Sequence, residues 1–314
     1  MQYYFAPMEG LTDGIYRRLH QRYFPGIDRY YTPFFSPTVH RSLTPKEQRE
    51  LPYADTWDAE TVPQILTKVP EDFLWMAQQC MDRGYREVNL NLGCPSGTVT
   101  AKSKGAGMLT DLYGLDRFLD EIFYSTPLPV SVKTRIGFGS AEEFPGIMEI
   151  LGKYPIRELI VHPRVRMDFY SNKPNMAAFA HALQASTCPV CYNGDLTCLQ
   201  DIEKFSENYP RVGAVMLGRG LIADPGMLSA TGTTPQLLEA FHDELFEEYI
   251  RSFGSARNAM FRMKENWHYL LTNFENAEKL AKSLRKTTDV SQYREITHKI
   301  IHTLPMRTKA AVPR

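Results

Sequence analysis

The sequence predicts a (β/α)8 barrel followed by a C-terminal helical domain. Eight short β-rich runs, most of them ending near Gly, Pro, Asn or Asp, occur within the first 220 residues. Stretches with helical periodicity lie between most of these runs. From about Thr234 the pattern changes to continuous helix. Because alternating strands and helices in this number are typical of a closed parallel barrel, we expect a barrel domain over 1–233 and a helical domain over 234–314.

The elements follow one another in a regular order. The predicted strands cover residues 2–8, 28–35, 61–66, 87–93, 130–137, 158–164, 190–195 and 214–220. The predicted helices between them cover residues 13–23, 71–84, 112–125, 141–154, 176–186 and 199–208. The pattern over 40–55 fits either a short helix or a loop. An open doubly wound sheet is the structural alternative, but it needs a GxGxxG phosphate loop after the first strand, where this chain has APMEGLTD.

The composition is that of an ordinary globular protein, with 43% hydrophobic and 23% charged residues. No stretch approaches the roughly 18 uncharged apolar residues of a membrane span, and the N-terminus does not read as a signal peptide. The five cysteines are odd in number and unevenly spaced, which argues against a disulfide framework. We therefore expect a protein of the reducing cytoplasm, without a membrane segment.

Cys188 and Cys191 have the CxxC spacing of redox pairs and of half zinc sites. The pair runs into the seventh predicted strand, where alternation points the two thiols in different directions. No second cysteine pair or nearby histidine supplies further ligands. We interpret the spacing as accidental and expect no metal.

Charge is distributed unevenly along a chain whose formal net charge is zero. Residues 235–250 carry five acids and no Lys or Arg. From Arg251 to the end, thirteen Arg and Lys face five acids, a net charge of +8. Two interpretations are equally open on charge alone, a solvated helix surface or a surface that binds a polyanion.

Polar residues end every predicted strand except the second. In (β/α)8 enzymes the active site lies at the C-terminal ends of the strands, so we expect these residues to surround one barrel mouth. They are Pro7, Met8, Glu9, Gln64, Asn91, Cys94, Lys133, Arg135, His162, Arg164, Asn193, Gly194, Asp195, Gly218 and Arg219.

Three of these positions indicate particular chemistry. Lys133 is flanked by strand-forming valines, and burying a lysine is costly unless it meets an anion or acts as a nucleophile; a salt bridge inside the barrel is the alternative. Cys94 stands between Gly and Pro at a strand exit, before a glycine-rich loop. GRGLI at the eighth strand is typical of the phosphate sites of such barrels. His162 fits a structural role as well as a catalytic one.

Taken in order, these strand ends resemble those of the tRNA-dihydrouridine synthases. The resemblance covers about residues 1–230 and rests on APMEGLTD, VPQIL, NLGCP with VTAKSKGAGML, VSVKTRIG, VHPR, YNGD and VMLGRG. The tail, with RMKENWHYL, resembles more loosely the family's RNA-binding helical domain, in the type that modifies uridine 16 of the D-loop. The resemblance implies a cytoplasmic, monomeric barrel enzyme that reduces uridines in tRNA.

The resemblance also implies two cofactors. FMN lies across the barrel mouth, and NADPH or NADH reduces it and leaves. The residues implied to contact FMN are Pro7, Met8, Glu9, Gln64 and Lys133, with Asn193, Gly194, Asp195, Gly218, Arg219 and His162 at its phosphate.

For the substrate, the resemblance implies a uridine flipped out of the RNA stack. Hydride reaches C6 of the uracil, and Cys94 gives the proton to C5, since a thiol is mostly protonated at neutral pH. Lys133 stabilises the anionic edge of the reduced flavin, and Arg135 and Tyr170 contact the uracil. Asn91 bonds either the uracil edge or the flavin, so the implied catalytic residues are Cys94, Lys133 and Asn91. The residues expected to contact RNA phosphates are Lys102, Lys104, Arg262, Lys264, Lys282, Arg285 and Lys286.

The chain departs from the family pattern in one region. Pro163 stands where the family usually has glycine, RVRMDFY (164–170) replaces a more uniform RTxxxGY stretch, and Asn89 replaces a more usual acid. These changes leave the role of Arg164 open. The alternatives are an FMN barrel that reduces a free pyrimidine, an RNA-binding barrel that has lost catalysis, and a Schiff-base aldolase that uses Lys133.

Overall fold

Nine parallel strands form one sheet in the computed structural model, which describes residues 1–56 and 60–312. The strands are β1 (Gln2–Phe5), β2 (Arg29–Tyr31), β3 (Glu60–Val62), β4 (Gln64–Ile65), β5 (Val88–Leu92), β6 (Val130–Arg135), β7 (Leu159–His162), β8 (Val190–Tyr192) and β9 (Ala214–Leu217). They pair in the order β3-β2-β1-β9-β8-β7-β6-β5-β4.

β3 and β4 are the first and last strands of this order, and only Pro63 separates them in the chain. Proline has no N–H to donate, so it divides the third predicted run into two short strands. Its carbonyl still accepts the N–H of Asn89 at 2.8 Å. The eight predicted strands are thus confirmed, with the third interrupted, and they form a nearly closed (β/α)8 barrel.

Helices follow the strands where the periodicity predicts them. Those up to residue 223 are α1 (Gly14–Tyr23), α2 (Pro45–Glu50), α3 (Pro70–Met81), α4 (Gly97–Thr100), α5 (Leu112–Ser125), α6 (Phe144–Leu151), α7 (Met176–Ala185), α8 (Leu199–Asn208) and α9 (Arg219–Ala223). The ambiguous region 40–55 contains α2, which begins with a capping box between Thr44 and Glu47.

The C-terminal region is helical, as predicted. It contains α10 (Pro235–Phe253), α11 (Ala256–Leu270), α12 (Glu278–Lys286) and α13 (Val290–Thr303). Within the described residues, none of the helices has the length and apolar character needed to cross a bilayer.

Buried side chains from neighbouring strands form a core cluster of the barrel unit. Tyr4, Tyr31, Ile160, Cys191 and Met216 are all buried in this cluster. Cys191 of the CxxC sequence is therefore a core residue, while Cys188 is half-buried.

The described residues divide into two compact units. The barrel unit comprises 1–7, 28–195 and 209–216, and the helical unit comprises 8–27, 196–208 and 217–314. The helical unit thus includes loops that follow β1, β8 and β9 as well as the C-terminal helices. The predicted boundary between a barrel domain over 1–233 and a helical domain over 234–314 stays a prediction.

The helical unit has its own aromatic core. Phe241 of α10 packs edge-on against Tyr16 of α1, with ring centroids 5.5 Å apart. The hydroxyl of Tyr293 accepts from Trp267 Nε1 at 3.1 Å and lies 2.7 Å from His242 Nε2. These bonds satisfy polar groups that the helices bury together.

Candidate active site

A chain of buried polar side chains joins β4, β5 and β6, from Ser131 near the start of β6 to Asn91 near the end of β5. Asn91 Nδ2 donates to Gln64 Oε1 at 2.7 Å, and Gln64 Nε2 donates to Asn89 Oδ1 at 2.8 Å. Asn89 Nδ2 in turn donates to Ser131 Oγ at 2.9 Å. The network fixes the orientation of Gln64 and Asn91, and it gives Asn89 a defined place as donor and acceptor.

Asn91 also positions the cysteine. Its Oδ1 accepts the backbone N–H groups of Gly93 at 3.0 Å and Cys94 at 2.9 Å. The carbonyl of Cys94 accepts from the N–H of Ala106 at 3.2 Å. Gly105, with φ +58°, lies so close that an added Cβ would be 3.0 Å from the Cys94 Cβ. The glycine-rich loop therefore supports the backbone of the half-buried Cys94.

Lys133 lies directly across from Asn91 in the β5–β6 register. Its side chain is half-buried, and burial together with the charge of Arg135 lowers the pKa of Lys133 to about 8. Over residues 1–56 and 60–312 no hydrogen bond or ion pair engages its ammonium group. A cation in this position fits an anionic ligand in the mouth.

Arg135 connects two loops. The residue is only 1% exposed, and its guanidinium donates to the carbonyls of Gly93 at 3.0 Å, Val165 at 2.9 Å and Phe169 at 3.0 Å. Burial lowers the pKa of Arg135 to about 10. The guanidinium carbon of Arg135 lies 5.7 Å from the ring centroid of Tyr170. Arg135 thus holds the backbone beside Cys94 and the loop after β7 in one arrangement.

Arg164, whose role the sequence leaves open, is buried and forms an ion pair with the half-buried Asp195. Its Nη1 and Nη2 donate to the two carboxylate oxygens at 2.9 and 2.5 Å, and its Nε donates to the carbonyl of Asn172 at 2.6 Å. His162 Nε2 lies 3.1 Å from Arg164 Nη1, and the ring of His162 is 5.8 Å from that of Tyr170. The ends of β7 and β8 are therefore joined through a bidentate pair.

The residues that follow β8 are closely packed. Asn193 Nδ2 donates to the carbonyl of Met216 at 2.8 Å, which links β8 to β9. A Cβ at Gly194 would lie 2.0 Å from the hydroxyl of Tyr192, so only glycine fits there. The carboxylate of Asp195 is occupied by Arg164.

The lysines after Cys94 differ in exposure. Lys102 is exposed, whereas Lys104 is half-buried and donates to Ser36 Oγ at 3.1 Å. Burial lowers the pKa of Lys104. Lys102 is thus the more accessible cation of this loop.

The remaining predicted cofactor residues belong to the helical unit, apart from the half-buried Pro7. Met8 begins a turn in which its N–H donates to Thr12 Oγ1 at 2.9 Å. The carbonyl of Gly218 accepts the N–H of Leu221 at 3.0 Å at the start of α9, which opens with the half-buried Arg219.

A cleft of about 970 Å³ lies within the helical unit. The exposed Glu9 lines it, together with Lys264, His268 and Arg285. This places Glu9 among basic groups of the unit that also holds the C-terminal helices.

The five predicted RNA-contacting residues of the tail fall into two groups. Lys282, Arg285 and Lys286 are exposed along α12. Arg262 is bound within the unit, since it donates to the carbonyl of Gly10 and pairs with Asp13 Oδ2 at 3.5 Å. Lys264 donates to the carbonyl of Thr287, and burial lowers its pKa.

One exposed aromatic residue escaped the sequence analysis. Phe261 of α11 is 43% exposed, with Arg257 at 5.8 Å and Lys264 at 5.3 Å from its ring centroid. The signal was present as basic residues four before and three after a phenylalanine on one helix. Aromatic and basic side chains together are typical of single-stranded RNA surfaces.

Known proteins are similar in sequence to most of this chain. The family model "Dihydrouridine synthase (Dus)" matches residues 4–308. A probable tRNA-dihydrouridine synthase 1 of Synechocystis sp. is 24% identical over 95% of this chain and 86% of its own length. A tRNA-dihydrouridine(16) synthase of Pseudomonas syringae pv. tomato is 28% identical over 92% of this chain and 96% of its own.

Among solved structures, a morphinone reductase variant in complex with tetrahydroNAD is similar in fold. Its TM-score is 0.50 at 10% identity, over 72% of this chain and 85% of that one. The family match extends to residue 308 and so includes the helical tail that a reductase of free pyrimidines does not need. The chain belongs to the dihydrouridine synthase family, whose members reduce uridines of tRNA.

Proposed function

We propose that this protein reduces the C5–C6 double bond of a tRNA uridine with FMN as its flavin and NADPH or NADH as the source of electrons. Bound FMN supplies the hydride that reaches C6 of the uracil. The observation that carries the proposal is Lys133, a half-buried cation bound to no described residue, in register with Asn91, which holds Cys94.

The polar residues around the mouth fit an anionic cofactor. Lys133 supplies positive charge for the reduced flavin, and Gln64 offers an amide that the network already orients. Pro7, Met8 and Glu9 complete the contacts implied by the resemblance. We propose that residues 193–195, with Gly218, Arg219 and His162, hold the phosphate. Arg164 then neutralises Asp195, which otherwise repels a phosphate.

Cys94 acts as the general acid. Hydride addition to C6 places negative charge on the C4 carbonyl and C5, and the thiol proton goes to C5. The thiolate left behind is reprotonated from solvent, so two electrons and two hydrogens are added in all. Asn91 and Arg135 act chiefly by fixing the backbone at Gly93 and Cys94, while Tyr170 lines the uracil pocket.

RNA binding involves both units. Lys102 and Lys104 contact phosphates near the barrel mouth, and the exposed row on α12 contacts phosphates elsewhere on the tRNA. Arg262 and Lys264 support this surface from within the helical unit. We further propose a monomeric, cytoplasmic enzyme acting on uridine 16, the position after which the Pseudomonas relative is named. Mapping dihydrouridine in tRNA from a deletion strain tests the position.

Separating the two half-reactions tests the proposal. Cys94→Ala should lower dihydrouridine formation by about 100-fold or more while flavin reduction by NADPH keeps its rate. Cys188→Ala, which changes another half-buried thiol, should leave both rates unchanged. Equal losses of both half-reactions in Cys94→Ala contradict the general-acid role, and a colourless protein that FMN does not restore contradicts the cofactor.

A further inference from the structure

An exposed aromatic ring stands on strained backbone beside the barrel mouth. Phe169 has φ +48° and ψ −93°, a region that bulky residues rarely adopt, and its side chain is 43% exposed. The geometry is held by its neighbours, since Arg135 donates to the Phe169 carbonyl at 3.0 Å and the Phe169 N–H donates to the carbonyl of Arg166 at 3.2 Å. Strain maintained in this way is characteristic of functional sites.

Arg166 joins this ring to a second one. Its guanidinium carbon lies 5.0 Å from the ring centroid of Phe169 and 5.3 Å from that of Phe138. Its Nη2 lies 3.4 Å from Thr100 Oγ1, in the short helix after Cys94. Its buried Nε has no hydrogen-bond partner in the described part of the chain. We refer to Phe138, Arg166 and Phe169 as the rim platform.

The rim platform is tied to the catalytic loop. One guanidinium, that of Arg135, binds the carbonyl of Gly93, next to Cys94, and the carbonyl of Phe169. The exposed ring of Phe169 is therefore one guanidinium away from the backbone that flanks the thiol.

We propose that the rim platform stacks against an unpaired nucleobase of the tRNA, adjacent to the uridine that enters the barrel. This inference rests on the proposed function. Extruding one base costs stacking energy on either side, and aromatic rings and guanidinium planes offer a flat surface that replaces the lost stack. A ring needed only to pack the loop would be covered by protein, and Phe169 is not.

Phe169→Gly separates a stacking role from a structural one. Glycine adopts positive φ without strain, so the variant should melt at the same or a higher temperature. Its kcat/KM for tRNA should fall about 5- to 100-fold, the loss of one base–aromatic stack. Phe169→Trp should keep most of the activity. Tyr124→Ala, which removes a 92% exposed ring of the same unit, should behave like the parent protein.

Fluorescence identifies the nucleotide involved. In tRNA carrying 2-aminopurine beside the target uridine, binding should quench emission with the parent protein and Phe169→Trp but not with Phe169→Gly. Unchanged kcat/KM and quenching in Phe169→Gly overturn the rim platform while leaving the proposed function intact. Failure of the parent protein to reduce tRNA overturns the proposed function instead. Should Phe169→Gly not fold, Arg166→Gln with the same two measurements decides.

A separate cluster in the helical unit has the composition of a metal site. Glu239 of α10 faces His298 and His302, which are one helical turn apart on α13. His298 Nδ1 lies 2.7 Å from Glu239 Oε1, and His302 Nε2 lies 3.0 Å from Oε2. The three ligand atoms all lie within 4.8 Å of one another.

We infer that this cluster binds one divalent transition-metal ion, with Zn²⁺ as the probe. Two imidazoles and a carboxylate are a common Zn²⁺ ligand set, and water completes the tetrahedron. The nearby charges belong to other pairs, since Asp243 contacts His242 and Arg294 binds Glu247. A bound ion would fasten α13 to α10.

Calorimetric titration of the untagged, chelator-treated protein with Zn²⁺ tests this site. One equivalent should bind, and the melting temperature should rise with Zn²⁺ concentration. His302→Gln and Glu239→Gln should each abolish both effects, whereas His268→Gln, which changes an exposed histidine of α11, should retain them. Absence of binding, or binding that is equal in all variants, shows that Glu239 serves only as an ion-pair partner of the histidines.

Discussion

The side-chain oxygen of Asn91 accepts the backbone N–H of Cys94 at 2.9 Å. The same oxygen accepts the N–H of Gly93, and the amide nitrogen donates to Gln64. Asn91 is therefore satisfied by protein on both ends of its amide, and it holds the backbone at Gly93 and Cys94. The sequence alone does not reveal these bonds; its prediction that Asn91 bonds the uracil edge or the flavin stays a prediction.

Asn91→Ala should destabilise the protein by about 1–3 kcal/mol, because it leaves two backbone N–H groups and the Gln64 oxygen without their partner. The loss in the rate of dihydrouridine formation, expressed as a free energy, should be at least as large as the loss of stability. Asn91→Asp keeps the acceptor for both N–H groups but cannot donate to Gln64, so it should recover only part of this loss. Urea denaturation measures the first effect, and an Asp variant as unstable as Ala contradicts the assignment.

Gly105→Ala should displace Cys94. A Cβ at residue 105 meets the Cys94 Cβ and carbonyl at 3.0 Å, and the φ of +58° adds strain of about 1 kcal/mol. Gly232→Ala is the matched control, since Gly232 has φ +64° but nothing within 4 Å of an added Cβ. Its substitution should cost stability alone. If the contact with Cys94 matters, Gly105→Ala should lose more uridine reduction than Gly232→Ala does. Equal losses in the two variants would contradict this prediction.

The free energy of unfolding should depend on pH through Lys133. Its folded pKa of about 8 lies below the ordinary value of 10.5, so between these values the unfolded chain binds more protons. Stability then rises with pH over this window, by up to about 3 kcal/mol at 1.36 kcal/mol per unit. Below pH 8 the penalty of burying the charge is fully present.

Lys133→Met provides the test in cofactor-free protein. The variant should be more stable than the parent at about pH 7, and the difference should shrink at about pH 10 as Lys133 loses its proton. The measurement is the urea midpoint at both pH values. A difference that does not change with pH contradicts the depressed pKa.

Asp195→Asn should lower stability by about 3 kcal/mol, because it leaves the buried Arg164 with half of its bidentate partner. We also expect weaker flavin retention, measured as visible absorbance after dialysis. Glu121→Gln, which breaks an exposed pair with Arg117 at 3.8 Å, should change stability by less than about 1 kcal/mol. Equal effects of the two substitutions would show that burial adds nothing to the first pair.

Charge reversal of Lys282, Arg285 and Lys286 should weaken tRNA binding and flatten its salt dependence. Each lost phosphate contact reduces the slope of log K against log salt by about 0.9 or less. NADPH oxidation should be unchanged. Lys299→Glu, on the exposed side of α13, is the control, because it reverses a charge outside α12. An unaltered slope in the triple variant would show that the RNA does not contact α12.

Much of the fold follows from local patterns. The β-rich runs predict every strand of the barrel because parallel barrel strands are short, apolar and ended by turn residues. The division of the third run at Pro63 follows from the missing N–H. Region 40–55 was ambiguous because α2 has no buried residue, and without an apolar face a helix leaves no periodic signal.

The sequence predicts which residues lie at the site but not which of them bind one another. Strand ends identify which residues meet at a barrel mouth. They do not reveal that Arg164 binds Asp195, 31 residues away, or that Arg262 is bound to Gly10 and Asp13 rather than displayed to solvent. Such pairings depend on which loops become neighbours, which no local pattern encodes. The strain at Phe169 likewise becomes visible only in its positive backbone φ angle, which the sequence does not show.

The shared attachment of two loops to Arg135 limits how this enzyme can be re-engineered. Grafting residues 163–172 from a relative will preserve turnover only if the donor segment presents carbonyls where Val165 and Phe169 now place theirs. A graft that misses them leaves donors of a buried guanidinium unsatisfied and loosens the peptide next to the sulfur. Replacing this segment is therefore inseparable from disturbing the backbone beside Cys94.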